Sequence, residues 1–159
     1  MRLRSATGAD AVEIAALWNR MIRDTLSTFT TLEKSPADIE EMIEARAGAV
    51  LIALQQDEFA GFATYGPFRA GPDYAATVEH TILVSPQHQG AGVGRHLLEA
   101  LQANARAQGV HVMVAGISHT NIAAQKFHRK MGYDEVGRMA QVGFKNAQWL
   151  DLVLMQKIL

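Results

Sequence analysis

The residues best suited to chemistry lie in one glycine-rich loop, Gln89 to Gly94, with the sequence QGAGVG. The loop follows an apolar, strand-like run that ends at Val84 and precedes a helical pattern that begins at Val93. Glycines remove the Cβ atoms that would keep a ligand away from the backbone. The first turn of a helix also leaves N–H groups unpaired at the positive end of the helix dipole. The sequence therefore predicts a phosphate-binding loop.

Two common phosphate-binding motifs do not fit this spacing. A P-loop requires a lysine and then a hydroxyl residue directly after its last glycine, whereas Gly94 is followed by Arg95 and His96. A dinucleotide fingerprint requires its third glycine one place later and an acidic residue at the end of the next strand. The next predicted strand, near 111–117, ends without one. The loop is expected to bind a different phosphate ligand.

Glu79 is the candidate general base, because it is the carboxylate within the strand-like run 77–84. An unpaired carboxylate is costly to bury, so we expect Glu79 to face a cavity, a partner or water. Partial burial would raise its pKa toward the range useful for taking a proton from an ammonium group, directly or through water. A structural ion pair with an arginine is the alternative interpretation.

The histidines do not suggest a metal site. They lie on different predicted elements without an i, i+4 pair, and the chain has no cysteine. Alternation along the strand predicts that His80 points away from the face of Glu79. A lone histidine within a strand is more often a core residue with satisfied polar atoms than a ligand. The six histidines are His80, His88, His96, His111, His119 and His128.

The composition limits the classes of function. A chain of 159 residues suits one domain over 1–159, and 48% hydrophobic with 19% charged residues is ordinary for a globular protein, which argues against disorder and membrane spanning. A net charge of −1 argues against nucleic acid as the main partner. The first residues lack the apolar core of a signal peptide, so we expect a cytoplasmic protein.

The patterns predict an alternation of helices and strands that positions these residues. Leu26 and Phe29 lie in a Thr- and Ser-rich loop over 25–31, where packing under the loop is favoured over a role as a substrate-pocket wall. The predicted elements are an edge strand 1–5, a helix from Asp10, a helix from Ser35 to Gly48, strands 49–55 and 59–65, a loop 66–73, a strand 77–84, a helix from Val93, a strand 110–117, a helix from Thr120 or Asn121, and strands 137–142 and 148–157 joined by a turn at 143–146.

Two motifs resemble those of the GCN5-related N-acetyltransferases (GNAT), which bind acetyl-CoA. The first is Gln-x-x-Gly-x-Gly at 89–94, and the second is Asn-x-x-Ala-x-x-Phe-His-x-x-x-Gly-Tyr at 121–133. Both stand in the family's order and separation. Further segments resemble the phosphinothricin and methionine sulfoximine acetyltransferase branch, and the similarity covers nearly the whole chain. These segments are 65–69 (YGPFR), 77–80 (TVEH), 143–145 (GFK) and 149–152 (WLDL).

The resemblance implies an α/β (α+β) fold with a mixed, mostly antiparallel sheet of about seven strands and about four helices. It also implies a splay between the fourth and fifth strands that admits pantetheine, and a homodimer. The implied activity is transfer of acetyl from acetyl-CoA directly to the amino group of a small amino-acid-like substrate, of the phosphinothricin or methionine sulfoximine type, with no metal. A protein or peptide N-acetyltransferase and a non-catalytic acyl-CoA-binding module are the alternatives.

The resemblance also implies roles for individual residues. Arg69 would clamp a substrate carboxylate, although a solvated loop arginine would be favoured without the resemblance. Phe29 and Glu79 join it as substrate-binding candidates, and Glu79 is the catalytic residue. His128 stands where many members have a tyrosine acid, and that role is left unassigned. The cofactor-binding candidates are Ile82, Leu83, Val84, Gln89, Gly90, Ala91, Gly92, Val93, Gly94, Arg95, Asn121 and Lys130. For Ile82–Val84 the alternative is core packing, and for Asn121 it is a helix start.

Overall fold

The computed structural model describes all 159 residues as one seven-stranded sheet flanked by four helices. The strand order is β1-β2-β3-β4-β5-β7-β6, and every neighbouring pair is antiparallel except β4 and β5. The mixed, mostly antiparallel α/β architecture predicted from the sequence is confirmed. In chain order the elements are β1 Arg2–Ser5, α1 Ala11–Asp24, α2 Pro36–Ala45, β2 Val50–Gln55, β3 Glu58–Pro67, β4 Thr77–Val84, α3 Val93–Ala107, β5 Val112–Ser118, α4 Ile122–Lys130, β6 Asp134–Lys145 and β7 Gln148–Ile158.

The two faces of the sheet carry different helices. Helices α1 and α2 pack on one face, where they bury Ile14 and Ile39 against Ile52 and Phe62 of the sheet. Helix α3 packs on the other face through a row of apolar residues at helical spacing, and these residues meet alternate side chains of the strands. The row consists of Val93, Leu97, Leu98, Leu101 and Ala105.

Helix α2 begins as its sequence predicts and ends earlier. The Ser35 hydroxyl accepts a hydrogen bond from the Asp38 N–H at 3.1 Å, and the Asp38 carboxylate accepts one from the Ser35 N–H at 2.7 Å. The helix stops at Ala45, three residues before the predicted end at Gly48. The chain turns at once because Ala47 and Gly48 both have positive φ angles, 34° and 87°.

The C-terminal hairpin is longer than its sequence pattern indicates. The predicted turn at 143–146 is wrong, because Gly143, Phe144 and Lys145 all pair with β7. The turn consists of Asn146 and Ala147, whose φ angles of 50° and 58° suit a two-residue hairpin loop.

The sheet opens between β4 and β5. Only three residue pairs join these parallel strands, at Thr77, Val78 and Glu79 of β4. Beyond Glu79, β4 continues to Val84 paired with β3 alone. Strand β5 likewise continues paired with β7 alone. The predicted splay between the fourth and fifth strands is present.

The loop after α1 is fastened to the end of β6 by Lys145. The buried Lys145 Nζ donates hydrogen bonds to the carbonyl oxygens of Ile22, Thr25 and Thr28 at 2.7, 2.8 and 3.0 Å. The loop therefore has a fixed position beside the opening of the sheet. None of the four helices combines the length and apolar character that a membrane span requires.

Candidate active site

The opening between β4 and β5 leads into a cavity of about 480 Å³. Residues of both faces line it, with Trp18, Thr28 and Thr30 on the α1 side and Asn121 and His128 at α4. The cavity therefore passes through the sheet where strand pairing is interrupted. Two reactants can approach this point from opposite faces.

Glu79 lies at the point where the pairing of β4 with β5 ends, and its side chain lines the cavity. Glycines flank it on both neighbouring strands: Gly66 is its partner on β3, and a Cβ added to Gly116 of β5 would lie 2.7 Å from the Glu79 Oε1 atom. Glu79 takes part in no salt bridge, so the predicted alternative of an ion pair with arginine is not found. Water reaches the carboxylate, but the cavity walls desolvate it enough to raise its pKa.

Arg46, which sequence reasoning missed, lines the same cavity. Its guanidinium lies over the backbone of Gly66, where an added Cβ would be 3.0 Å from Nη2. Its Nη1 donates a hydrogen bond to the Thr64 Oγ1 at 3.0 Å, and no carboxylate pairs with it. Burial lowers the pKa of Arg46. An arginine after the last turn of a helix is common, so the sequence carries no signal of this placement.

Arg69 and Phe29 do not line the cavity that holds Glu79. Arg69 lies in a neighbouring cavity, with its guanidinium carbon 5.8 Å from the centre of the Phe68 ring. The Phe29 ring covers Gly143, where an added Cβ would lie 2.6 Å from it. Packing under the loop accounts for Phe29, and substrate contact by either residue stays a prediction.

The glycine-rich loop is an open cradle of backbone donors. Gly90 and Gly92 have φ angles of 79° and 80°, which an L side chain rarely adopts. Helix α3 begins directly after Gly92 without a side-chain cap. The N–H groups of residues 92–95 consequently have no acceptor in the chain. Gln89, Ala91 and Arg95 are exposed, whereas Val93 is buried.

The loop and β4 are packed together. A Cβ added to Gly94 would lie 3.5 Å from Val84 and 3.6 Å from Phe127, so the start of α3 sits closely between β4 and α4. Arg95 forms a 2.9 Å salt bridge with Glu99 on the exposed side of the helix. These contacts hold the row of free N–H groups beside the end of β4.

The last residues of β4 present unpaired backbone groups to the gap. The N–H of Ser85, the residue after β4, donates a hydrogen bond to the Ala60 carbonyl oxygen of β3. Because backbone groups alternate in direction along a strand, those of Ile82 and Val84 point toward β5, which has moved away. Leu83 turns its backbone to β3 and its side chain to the α1 face. A ligand amide in the gap can pair with Ile82 and Val84 as an added strand would.

Asn121 is the N-cap of α4, as one of its two interpretations predicts. Its Oδ1 accepts from the Ala124 N–H at 3.0 Å, and its Nδ2 donates to the Ser27 Oγ at 3.2 Å. The side chain thereby joins α4 to the loop after α1 at the edge of the cavity. Lys130 is exposed at the end of α4 and does not line this cavity.

His80 and His128 form a buried pair, although the sequence placed them on separate elements. Their rings stack with centroids 5.1 Å apart, and their Nε2 atoms are 3.1 Å apart. The His128 Nδ1 lies 2.8 Å from the Ala124 carbonyl oxygen and must carry the proton. We therefore assign the His128 Nε2 as acceptor and the His80 Nε2 as donor. The His80 Nδ1 then has no partner, so the expectation of a satisfied core histidine is wrong.

The histidine pair makes the folded chain sensitive to acid. Burial lowers the pKa of His80 to about 3 and also lowers that of His128. Below pH 6.5 the unfolded chain therefore binds protons that the folded chain excludes, and stability falls as the pH falls. Between pH 6.5 and 5 we expect a loss of roughly 2 kcal/mol from His80 alone.

Urea unfolding at pH 7 and pH 5 measures this loss. The double variant His80→Phe, His128→Phe should lose distinctly less stability over this interval than the parent chain. His111→Phe, which removes an exposed histidine, is the matched control and should behave like the parent. Equal losses in the parent and the double variant would contradict the assignment.

Comparison with known proteins decides the family. The model of the acetyltransferase (GNAT) family matches residues 18–133. The chain belongs to this family. The Gln89–Gly94 loop and the opening between β4 and β5 both lie within the matched residues. No group of three or more His, Cys, Asp or Glu side chains is placed to hold a metal ion.

GNAT relatives match over nearly the full length of the chain. An L-methionine sulfoximine/L-methionine sulfone acetyltransferase of Pseudomonas paraeruginosa is 38% identical over 97% of this chain and 92% of the relative. A phosphinothricin N-acetyltransferase of Streptomyces viridochromogenes is 30% identical over 99% of this chain and 87% of the relative. The resemblance to this branch is confirmed.

Solved structures of other GNAT proteins share the fold. YncA from Salmonella typhimurium, solved with its cofactor acetyl-CoA, is 35% identical with a TM-score of 0.95 over 99% of this chain and 93% of that chain. A ribosomal-protein-alanine N-acetyltransferase from Brucella melitensis is 36% identical with a TM-score of 0.95 over all of both chains. The name of the Brucella structure gives ribosomal-protein alanine as the acetylation target, and the name of the Salmonella structure gives no target.

Proposed function

We propose that the protein is an N-acetyltransferase that moves the acetyl group of acetyl-CoA to the α-amino group of a small amino acid of the methionine sulfone, methionine sulfoximine or phosphinothricin type. The observation that carries the proposal is Glu79, an unpaired carboxylate with a raised pKa where the sheet opens. The full-length match to relatives with these names supports the substrate class.

The residues of the chain fit acetyl-CoA. The free N–H groups of residues 92–95 suit a pyrophosphate, because they are unpaired donors at the positive end of helix α3. We propose that Gln89–Arg95 hold this group, and that the backbones of Ile82 and Val84 pair with the pantetheine amides while Leu83 packs between them. We also propose that Asn121 and Lys130 bind the coenzyme nearer α4. Acetyl-CoA supplies a thioester whose carbonyl carbon is open to attack by a neutral amine.

Glu79 would make the amine neutral. An amino acid carries an ammonium group near neutral pH, and the Glu79 carboxylate can accept one of its protons directly or through water. Its raised pKa makes it a stronger base than a glutamate whose carboxylate is fully hydrated. The N–H groups of Ile82 and Val84 are donors available to a carbonyl oxygen in the gap.

His128 is not placed to act as an acid. Its Nδ1 proton is held by the Ala124 carbonyl, and its lowered pKa keeps the ring neutral near pH 7. A thiolate with a pKa near 8.5 can leave without a dedicated proton donor. We propose that the reaction proceeds without an acid from this position.

A peptide N-terminus is the second candidate acceptor, favoured by the similarity to the structure named ribosomal-protein-alanine N-acetyltransferase. Thiol release from acetyl-CoA measured over a panel of free amino acids and alanine-initiated peptides separates the two. We expect turnover with methionine sulfone and methionine sulfoximine and little with peptides. Peptide turnover alone would refute the proposed substrate class, and tight coenzyme binding with no turnover would indicate a binding module.

We further propose that the protein is a homodimer of the cytoplasm without a nucleic-acid or membrane partner. Apolar side chains are exposed along the C-terminal hairpin, where the rings of Phe144 and Trp149 pack at a tilt of 53° with centroids 4.7 Å apart. Their exposed fractions are 58% and 60%. A surface of this kind is suited to a second copy of the chain. Val136, Met139 and Val142 extend it along β6.

Replacing both aromatic residues should separate the proposed dimer. The double variant Phe144→Lys, Trp149→Lys should sediment as one chain, because like charges would face each other across the interface. The parent should sediment as two. Val12→Lys, which places a lysine on an equally exposed apolar position of α1, is the control and should remain dimeric. A parent chain that sediments as a monomer would refute the proposal.

A further inference from the structure

We propose that Arg46 binds the carboxylate of the amino-acid substrate, so that Arg46 and Glu79 together select a free amino acid over an amine that lacks a carboxylate. This inference rests on the proposed function and concerns the same cavity. Within this pair, Arg46 is the side chain that recognises the carboxylate.

The first support is the placement of the two charges. Gly66 and Glu79 are directly paired on β3 and β4, so their side-chain positions are neighbours on one face of the sheet. The Arg46 guanidinium occupies the space over Gly66. The Glu79 carboxylate leans the other way, over Gly116 of β5. A cation and an anion therefore line the same cavity from neighbouring positions of the sheet, and no salt bridge joins them.

The second support is the unused hydrogen-bonding capacity of Arg46. A guanidinium has five N–H donors, and here only one bond, to Thr64, is made. The group is half-buried and loses hydration, which lowers its pKa. Such a cation is stabilised by a carboxylate that accepts two parallel hydrogen bonds. The chain supplies none, so the natural source of the carboxylate is a ligand in the cavity.

A role in ending α2 does not account for this geometry. A positive charge near Ala45 would interact favourably with the helix C-terminus even if its side chain extended into water. Arg46 instead turns onto the sheet and lies against a glycine, at the partner position of Glu79. Gly66 permits this close approach because it has no Cβ.

The chemistry of the substrate matches the pair. A free amino acid carries its ammonium and carboxylate on one carbon, and so needs an anion and a cation side by side. A peptide N-terminus offers the ammonium alone, because its first carboxyl group is an amide. Binding a peptide would leave Arg46 desolvated without a partner, which is the situation that makes a polar site selective.

Arg69 is the competing guanidinium. It lines the neighbouring cavity, as Arg46 also does, and its guanidinium lies over the Phe68 ring. Arg46 faces both cavities, whereas Arg69 faces only the second. The geometry therefore favours Arg46 as the carboxylate ligand at the level of Glu79.

The test compares substrates with and without the carboxylate. The parent, Arg46→Met, Arg46→Lys and Arg106→Met are assayed with L-methionine sulfone, its primary amide, and 3-(methylsulfonyl)propylamine. Arg106 is an exposed arginine of α3 and serves as the matched control. For Arg46→Met we expect kcat/KM for methionine sulfone to fall on the order of 10²-fold, mainly through KM. The values for the amide and the plain amine should change less than about threefold.

The ratio of variant to parent is taken within each substrate, so differences in amine basicity cancel. Arg46→Lys should recover part of the loss, because lysine keeps the positive charge but cannot donate two parallel hydrogen bonds. Equal losses with all three substrates would show a structural role and overturn the inference. So would retained preference for methionine sulfone in Arg46→Met. If the parent acetylates none of the three, the proposed function itself fails, and this outcome is distinct from either result.

Discussion

Glu79→Gln should lower kcat/KM for the amine by roughly 10²-fold or more, the usual scale for removal of a general base. The substitution keeps the length and the shape of the side chain. It removes the negative charge and with it the ability to accept a proton. KM for acetyl-CoA should change little, because the Glu79 carboxylate and the phosphate loop are separate in the structure. The carboxylate lies on the α1 side of β4, whereas the loop lies beyond the C-terminal end of β4.

The pH dependence identifies the residue. Glu79 must be ionised to accept a proton, so kcat/KM should rise with pH through its pKa, which burial raises above the ordinary 4.5. That acidic limb should be absent from Glu79→Gln. Glu41→Gln, on the exposed surface of α2, is the control and should retain both the rate and the limb. An unchanged pH profile in Glu79→Gln would remove Glu79 from the mechanism.

Gly92→Val should weaken acetyl-CoA binding by roughly 10²-fold or more. Gly92 has a φ of 80°, which a β-branched residue adopts only at a cost of about 1–2 kcal/mol, so the loop would change its backbone path. The N–H groups of residues 92–95 would then no longer converge. Each hydrogen bond to a charged phosphate that is lost costs about 1.5–3 kcal/mol.

Gly109→Val separates this effect from general strain. Gly109 follows α3 with a φ of 82° and has open space around it, so valine there meets the same backbone cost away from the loop. Both variants should melt at a lower temperature than the parent, and only Gly92→Val should lose coenzyme affinity in calorimetry. Intact affinity in Gly92→Val would refute the role proposed for the loop.

Features that depend on neighbouring residues along the chain were predictable. The loop before α3, the Ser35 cap and the Asn121 cap are each encoded within a few positions, and the structure has all three. Glu79 could be found because a carboxylate is unusual in an apolar strand. The glycines that flank Glu79 could not be found in this way, because Gly66 lies on β3 and Gly116 lies on β5.

The features that the sequence did not reveal depend on contacts between distant segments. Arg46 lies over Gly66 because α2 ends at Ala45, and the next residue, at the helix C-cap, extends its side chain onto β3. His80 and His128 are 48 positions apart and meet only when α4 covers β4. The extension of the C-terminal hairpin through Lys145 likewise followed from cross-strand pairing with β7, which no local pattern specifies.

The short ladder between β4 and β5 has a thermodynamic consequence. Strands β1–β4 form one half of the sheet and β5–β7 the other, and three residue pairs are their direct connection. A coenzyme lying between the strands would replace the missing inter-strand hydrogen bonds and connect the two halves of the sheet. Because a ligand that binds only the folded state stabilises it by RT ln(1 + [L]/Kd), the cell's supply of acetyl donor would also set how long the molecule persists.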